Sequence, residues 1–248
     1  MSRKEEIIDG YNVVEYEKTN IYIIEKMVDD QLCNELIDII NKTSVTKTDY
    51  HETNNVRSYL SNLNNLLDSN DEFYYKFSTD VNEYNKLLGN VTKKNSILTN
   101  KMNGITKETL LNIFKKVFDK MDKVSAAINK KNNRLKLNHN AGYDLRKIFG
   151  ATRLHTDGIK EVYHSNIISI RDNHLKEYRM VRNATVIFAL NDNYEGGVFN
   201  FTYQDVTFKL NKGSVLIFPP YWTHPHEVSE LLNNTYRYTL STWCCESL

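Results

Sequence analysis

Near residue 140 this chain changes its hydrophobic period, and that change constrains the fold more than any other feature. Beyond it the apolar residues fall into short β-rich runs: Leu145 to Phe149, Asn166 to Ile170, Ala184 to Leu190, Val198 to Phe201, Val206 to Leu210, Ser214 to Phe218, His226 to Leu231 and Tyr236 to Trp243. Turn formers separate them, in Asn191-Asp192-Asn193, Glu195-Gly196-Gly197 and Asn211-Lys212-Gly213. Eight short strands in about 100 residues imply a barrel or a double-sheet jelly roll.

Ahead of that boundary the pattern reads as helix-rich. Ile21 to Glu25 reads as a short strand, after which Asp29 caps a helix with Leu32, Leu36, Ile37, Ile39 and Ile40 on one face. Residues 43–70 are rich in Asn and Ser and read as loop, and a second helix is expected over 71–88. From Thr106 the residues Leu110, Phe114, Val117, Met121, Val124 and Ile128 recur at steps of four and three. They form one stripe, read as packing against a sheet. The expected fold class is therefore α+β, a double-stranded β-helix (jelly roll) of about eight strands buttressed by N-terminal helices. Residues 1–139 form the helix-rich portion and 140–248 the core. Because no repeat and no Pro- or Gly-rich linker intervenes, one compact unit is expected.

Charge and cysteine usage narrow the function classes. Lys plus Arg number 32 against 31 Asp plus Glu, so a net charge of +1 supplies no global field to gather nucleic acid or an anionic membrane. The three cysteines, Cys33, Cys244 and Cys245, lack the spacing of a disulfide framework or a zinc knuckle. They are read as reduced thiols of a cytoplasmic protein. The first residues are charged, and nowhere do about 18 apolar residues run together, so neither secretion nor a membrane span is expected.

Against this scaffold the seven histidines are unevenly placed. His155-Thr156-Asp157 sets an imidazole and a carboxylate two apart at the end of a strand, where both side chains can point to the same side. Alone this pattern is weak, and a surface pair beside the Gly158 turn explains it equally well. A second histidine site follows some 70 residues downstream, in Tyr221-Trp222-Thr223-His224-Pro225-His226-Glu227, with Arg237-Tyr238-Thr239 beyond it. Two histidines and one carboxylate leave three positions of a metal open, an arrangement suited to Fe(II) with a bidentate co-substrate and O2, whereas zinc favours a closed tetrahedron. Arg237 offers a planar two-pronged donor for a carboxylate, and the Thr239 hydroxyl lies two residues on, on the same strand face.

With those motifs in place, residues 140 to 243 resemble the prolyl-hydroxylase-like branch of the Fe(II)/2-oxoglutarate-dependent oxygenases. The resemblance is carried by His155 and Asp157, by Glu195-Gly196-Gly197-Val198-Phe199, by Lys212-Gly213-Ser214-Val215-Leu216-Ile217-Phe218-Pro219, by His226, and by Arg237 through Trp243. It implies Fe(II) held by His155, Asp157 and His226, with 2-oxoglutarate held by Arg237, Thr239 assisting. In that family the basic residue follows the distal histidine after roughly ten residues. His226 stands eleven before Arg237 and His224 thirteen, which favours His226. Tyr143 and Arg146 fall where relatives place an aromatic hydroxyl or a basic group beside the pocket, and core or surface roles fit them equally. Collagen-type prolyl 4-hydroxylases usually carry Lys in place of Arg237, so the substrate stays open.

The implied reaction is hydroxylation of an unactivated C–H bond, coupled to oxidative decarboxylation of 2-oxoglutarate, with O2 as oxidant and ascorbate as a further candidate cofactor. A prolyl residue in a peptide or protein is the leading substrate. The alternatives are a free amino acid or small metabolite, and a nucleic-acid base, against which the neutral charge argues. A third class is a metal-binding jelly-roll module without turnover. Arg179 and Arg182 are read as solvated charges, and Trp222 and Trp243 as core or rim aromatics.

Overall fold

The computed structural model describes residues 2–42, 45–48, 55–58, 107–135, 137, 139–140, 143–158, 163–168 and 175–247. It opens with a hairpin, β1 (Arg3–Ile8) and β2 (Tyr11–Tyr16). Asp9 and Gly10 close it with φ of 51° and 83°, the left-handed pair of a two-residue turn whose twist matches the flanking strands. β3 (Ile21–Ile24) follows with all four residues buried. Asp29 then starts α1 (Asp30–Lys42), its Oδ1 accepting the Leu32 N–H at 2.9 Å.

α1 buries Leu32, Cys33, Leu36, Ile39 and Ile40, and α2 (Lys107–Lys131) buries Ile113, Phe114, Val117, Phe118, Met121, Val124, Ala127 and Ile128. These stripes pack together on the outer face of a large antiparallel sheet, in one cluster with Tyr22, Ile24, Ala184, Val186, Phe188, Val215, Ile217 and Leu240. Each fully buried apolar side chain contributes roughly 1.5–3 kcal/mol. The half-exposed Lys116–Glu35 pair at 2.8 Å contributes at most about 1 kcal/mol, so the apolar seam holds the helices.

The remaining elements are strands: β4 (Val45–Thr48), β5 (Asn55–Ser58), β6 (His139–Asn140), β7 (Asp144–Ile148), β8 (Thr152–His155), β9 (Tyr163–Ile168), β10 (Leu175–Ala189), β11 (Glu195–Gly196), β12 (Phe199–Phe201), β13 (Val206–Phe208), β14 (Val215–Phe218), β15 (His226–Val228), β16 (Leu231–Leu232) and β17 (Arg237–Ser247). The major sheet runs β1-β2-β3-β14-β10-β17-β7-β5-β4, with β6 on β17 and β9 on β10. A minor sheet, β13-β12-β15-β8, faces it. Between them lies a second core of Val14, Ile21, Ile23, Ala189, Phe199, Phe201, Leu216 and Phe218. Alternate residues of β3, of β14 and of β10 from Ala184 to Ala189 thus face the helices or the minor sheet, which is why these stretches read as nearly continuous apolar runs.

Two expectations change. The N-terminal portion also contributes strands: β1, β2, β4 and β5 join the major sheet, and β4 and β5 fall within the stretch read as loop. β1 escaped notice because five of its six residues are exposed, so it shows no apolar alternation. The helix expected over 71–88 lies outside the described residues. The core holds twelve described strands from β6 to β17 where about eight were expected: β10 is 15 residues long, and the run from His226 splits into β15 and β16. The Glu195-Gly196-Gly197 turn explains one split, since a Cβ on Gly196 would meet the Glu230 carbonyl oxygen at 1.9 Å, at a φ of 71°.

Candidate metal centre

β8 and β15 pair antiparallel in the minor sheet with His155 directly opposite His226. The register shifts between His226 and Val228, so the two imidazoles meet at an irregular point of the ladder. Their ring centroids are 4.4 Å apart. Asp157, just past the end of β8, brings its Oδ1 to 3.4 Å from His155 Nε2. Donor atoms of His155, Asp157 and His226 all lie within 4.8 Å of one another.

Backbone carbonyls fix the tautomer of both rings. His155 Nδ1 donates to the Arg153 carbonyl at 2.8 Å and His226 Nδ1 to the His224 carbonyl at 3.1 Å, which leaves each Nε2 as a lone-pair donor. His226 is held further by Phe218 and Phe201, at centroid distances of 4.7 Å and 5.2 Å. Thr185 Oγ1 donates to Asp157 Oδ2, and the Gly158 N–H donates to the Pro220 carbonyl at 2.9 Å, pinning the turn that follows.

The electrostatics suit a cation. Burial opposes ionisation of Asp157, yet His155, His226 and the Thr185 hydroxyl outweigh it and hold the carboxyl well below its usual range. Burial pushes the His226 pKa down, more than the Asp157 charge raises it. At His155 burial acts in the same downward sense, but Asp157 and the Arg153 carbonyl raise the net value. Two imidazole nitrogens and one ionised carboxylate fit Fe(II) with open positions.

Arg237 and Thr239 enter from β17 in the major sheet, two residues apart and so on one face. They are 5 % and 2 % exposed. Arg237 Nε and Nη1 and Thr239 Oγ1 are buried with no hydrogen-bond partner among the described residues. Burial pushes the Arg237 pKa down to about 10, while the Phe199 ring, 4.8 Å from the guanidinium carbon, gives it one favourable contact. Such atoms cost roughly 1–3 kcal/mol each when left unpaired, and their fork of N–H groups beside a hydroxyl suits a carboxylate acceptor.

The other candidate residues divide. Tyr143, 1 % exposed, packs edge-on against Phe118 of α2 in the helix-facing core, away from the minor sheet. Its expected place beside the co-substrate is therefore corrected: it precedes β7 and turns to the opposite side from Arg146. Both nitrogens of His224 are engaged, Nε2 with the Thr19 carbonyl at 2.6 Å and Nδ1 with Thr223 Oγ1 at 2.8 Å. His224 thus ties the distal loop to the β2–β3 turn.

Two residues read as surface or rim groups stand beside the triad. Arg182 is 7 % exposed, its Nη1 donates to the Asp157 carbonyl at 3.3 Å, and its guanidinium lies 4.1 Å from the Trp243 ring centroid. Trp243 is the register partner of Thr185. The signal for Arg182 was its place two residues ahead of the apolar run from Ala184, in the same strand, where a solvated charge is out of keeping.

Residues 148–245 match the family model described as the 2OG-Fe(II) oxygenase superfamily. Among solved structures the chain is similar to a prolyl hydroxylase from Trichoplax adhaerens in complex with a hypoxia inducible factor oxygen degradation domain peptide fragment. The TM-score is 0.50 at 11% identity, covering 92% of this chain and 84% of that one. It is equally similar to a Pseudomonas putida prolyl-4-hydroxylase, with a TM-score of 0.50 at 12% identity and 92% of each chain covered. At these identities the likeness is one of fold. No curated protein matches the chain in sequence.

Proposed function

We propose that this chain, whose residues 148–245 match the model of the 2OG-Fe(II) oxygenase superfamily, is a 2-oxoglutarate-dependent dioxygenase that hydroxylates a prolyl residue in a peptide or protein. The observation that carries the co-substrate reading is the orphaned set Arg237 Nε, Arg237 Nη1 and Thr239 Oγ1, buried on one face of β17 with the guanidinium against the Phe199 ring. Such a set matches the distal carboxylate of a five-carbon diacid whose other end reaches the metal. The prolyl reading rests on the motif order, and both solved structures named above are prolyl hydroxylases.

His155 Nε2, His226 Nε2 and Asp157 Oδ1 would hold Fe(II). Bound there, Fe(II) with O2 supplies the oxidising power that turns 2-oxoglutarate into succinate and CO2 while one oxygen atom enters the substrate C–H bond. The chain's own part is positional. Arg237 and Thr239 set the direction of the co-substrate, Thr185 keeps the Asp157 carboxylate turned, and Phe199, Phe201 and Phe218 keep the cavity dry. The purified protein, given Fe(II), 2-oxoglutarate and O2, should release succinate and add about 16 Da to proline-containing peptides. A screen beside free amino acids and methylated oligonucleotides separates the substrate classes, and a mass gain confined to non-prolyl compounds overturns the prolyl reading. No helix among the described residues is long and apolar enough to cross a membrane.

A further inference from the structure

Residues 219–225, between β14 and β15, form a loop held by three neighbouring turns. The Gly158 N–H, next to Asp157, donates to the Pro220 carbonyl at 2.9 Å. His224 Nε2 donates to the Thr19 carbonyl of the β2–β3 turn at 2.6 Å. From the β12–β13 turn, Gln204 Nε2 donates to the Thr223 carbonyl at 2.8 Å and the Thr202 N–H to the Pro225 carbonyl at 3.3 Å. On this anchored loop Trp222 is 76 % exposed, and on the β12–β13 turn that braces it Tyr203 is 72 % exposed. They are the two most exposed large hydrophobic side chains among the described residues. Because the backbone beneath them is already fixed, burying these rings against a ligand removes apolar area from water at little cost in conformational entropy.

Charge and hydrogen-bonding capacity say what fits there. Residues 202–204 and 219–226 contain no Asp, Glu, Lys or Arg, so this surface has nothing to attract a polyanion such as nucleic acid. Gln204 Oε1 is a buried acceptor with no hydrogen-bond partner among the described residues. The Trp222 indole N–H and the Tyr203 hydroxyl are donors at the tips of exposed rings. One acceptor for an N–H, two donors for carbonyls and two aromatic faces match an uncharged extended peptide. Proline suits it best, since prolyl rings pack on aromatic faces and a polyproline II backbone keeps its carbonyls free.

The surface is continuous with the metal centre. Pro220 is bonded beside the ligand Asp157, and Trp222 lies two residues on, at most about 7 Å along the chain. A polyproline II segment advances about 3.1 Å per residue, so a peptide with one residue at the metal reaches Trp222 within a few positions.

We propose that Trp222 and Tyr203 form a platform outside the cavity that binds the uncharged, proline-containing flank of a peptide whose target residue sits at the metal. This rests on the peptide reading above and narrows it. The preferred substrate carries further prolines in an extended segment beside its target, and a lone proline among polar residues is a poor one.

The test is anaerobic calorimetry on the full chain loaded with Fe(II) and 2-oxoglutarate, so that it does not depend on turnover. Two probes share one central proline: acetyl-Pro-Pro-Ala-Pro-Ala-Pro-Pro-amide and acetyl-Gly-Ser-Ala-Pro-Ala-Ser-Gly-amide. The proline-flanked peptide should bind at least about tenfold more tightly. Trp222→Ala and Tyr203→Ala should each reduce that preference and together abolish it, with 2-oxoglutarate half-saturation unchanged. Both side chains are mostly exposed, so their loss leaves the core intact. Equal affinities in wild type, or a preference that survives in the double variant, overturn the platform and leave the prolyl reading standing. Trp222-dependent binding of an eight-residue oligothymidylate in place of the peptides overturns it in favour of stacked bases. Binding of neither peptide while 2-oxoglutarate still binds overturns the peptide reading beneath it as well.

Discussion

His155 and His226 face each other directly across paired strands, yet His224, two residues before His226, reaches the Thr19 carbonyl at 2.6 Å instead. Strand alternation would put residues two apart on one face, but His224 lies ahead of β15 in a turn closed by its N–H to the Tyr221 carbonyl at 2.9 Å, so its ring turns to Thr19 while His226, inside β15, meets Asp157. His226→Ala should abolish metal binding and succinate release. His224→Ala should retain both and lose about 1–3 kcal/mol of stability, the cost of leaving the carbonyl unpaired. Metal titration and thermal unfolding of the two variants check this, and the opposite pattern would move the triad to His224.

Arg237 should trade stability for binding. Its folded pKa of about 10 lies below the ordinary 12.5, so the charged form is penalised in the fold. That penalty is fully present below about pH 10 and fades as pH rises through 10 toward 12.5, where the unfolded chain still holds the proton. At neutral pH the metal-free Arg237→Met variant should therefore melt no lower than wild type. Its 2-oxoglutarate half-saturation should rise at least about tenfold, equal to 1.4 kcal/mol, followed by the visible band of the anaerobic Fe(II) chelate. Thr239→Ala should shift it less, since a neutral hydroxyl contributes less than a charged fork. An unchanged half-saturation in Arg237→Met would assign the co-substrate to Arg146.

Thr185 touches Asp157 and no other candidate ligand, so Thr185→Val tests orientation alone. Loss of such a partner typically costs 10–100-fold in metal affinity. The variant should fold normally and bind Fe(II) more weakly by about that factor, while 2-oxoglutarate still binds once metal saturates the site. Unaltered iron affinity would show that the hydroxyl has no part in setting the carboxylate.

Gly10 and Gly196 separate backbone strain from crowding. Both have positive φ, 83° and 71°, but a Cβ at Gly10 meets nothing within 4 Å and one at Gly196 meets a carbonyl oxygen. Gly10→Ala should cost about 1–2 kcal/mol, the price of the left-handed conformation alone. Gly196→Ala should cost clearly more, since the β11–β16 contact must open, and its melting temperature should fall further. Equal losses in denaturant unfolding would contradict the close approach.

The sequence by itself determined the parts of this protein that depend on local pattern. The strand period beyond residue 140 located β7, β10, β12, β14 and β17, the Asp29 cap located α1, and the stripe from Phe114 to Ile128 located the buried face of α2. His155, Asp157 and His226 were legible because ligand chemistry needs those residue types, and their spacing narrowed the choice. Tertiary structure alone decided what depends on strand register and on which face a side chain turns to. Tyr143 and Arg146, three residues apart, went to opposite sides of the sheet, the first into the helix core and the second toward Thr239. Arg182, read as a solvated charge, became buried because β10 runs 15 residues and pairs with β17 along much of that length, which sets it against Trp243. Pairing between segments some 60 residues apart is a long-range outcome, fixed by the packing of the major and minor sheets with α1 and α2, and no local window contains it.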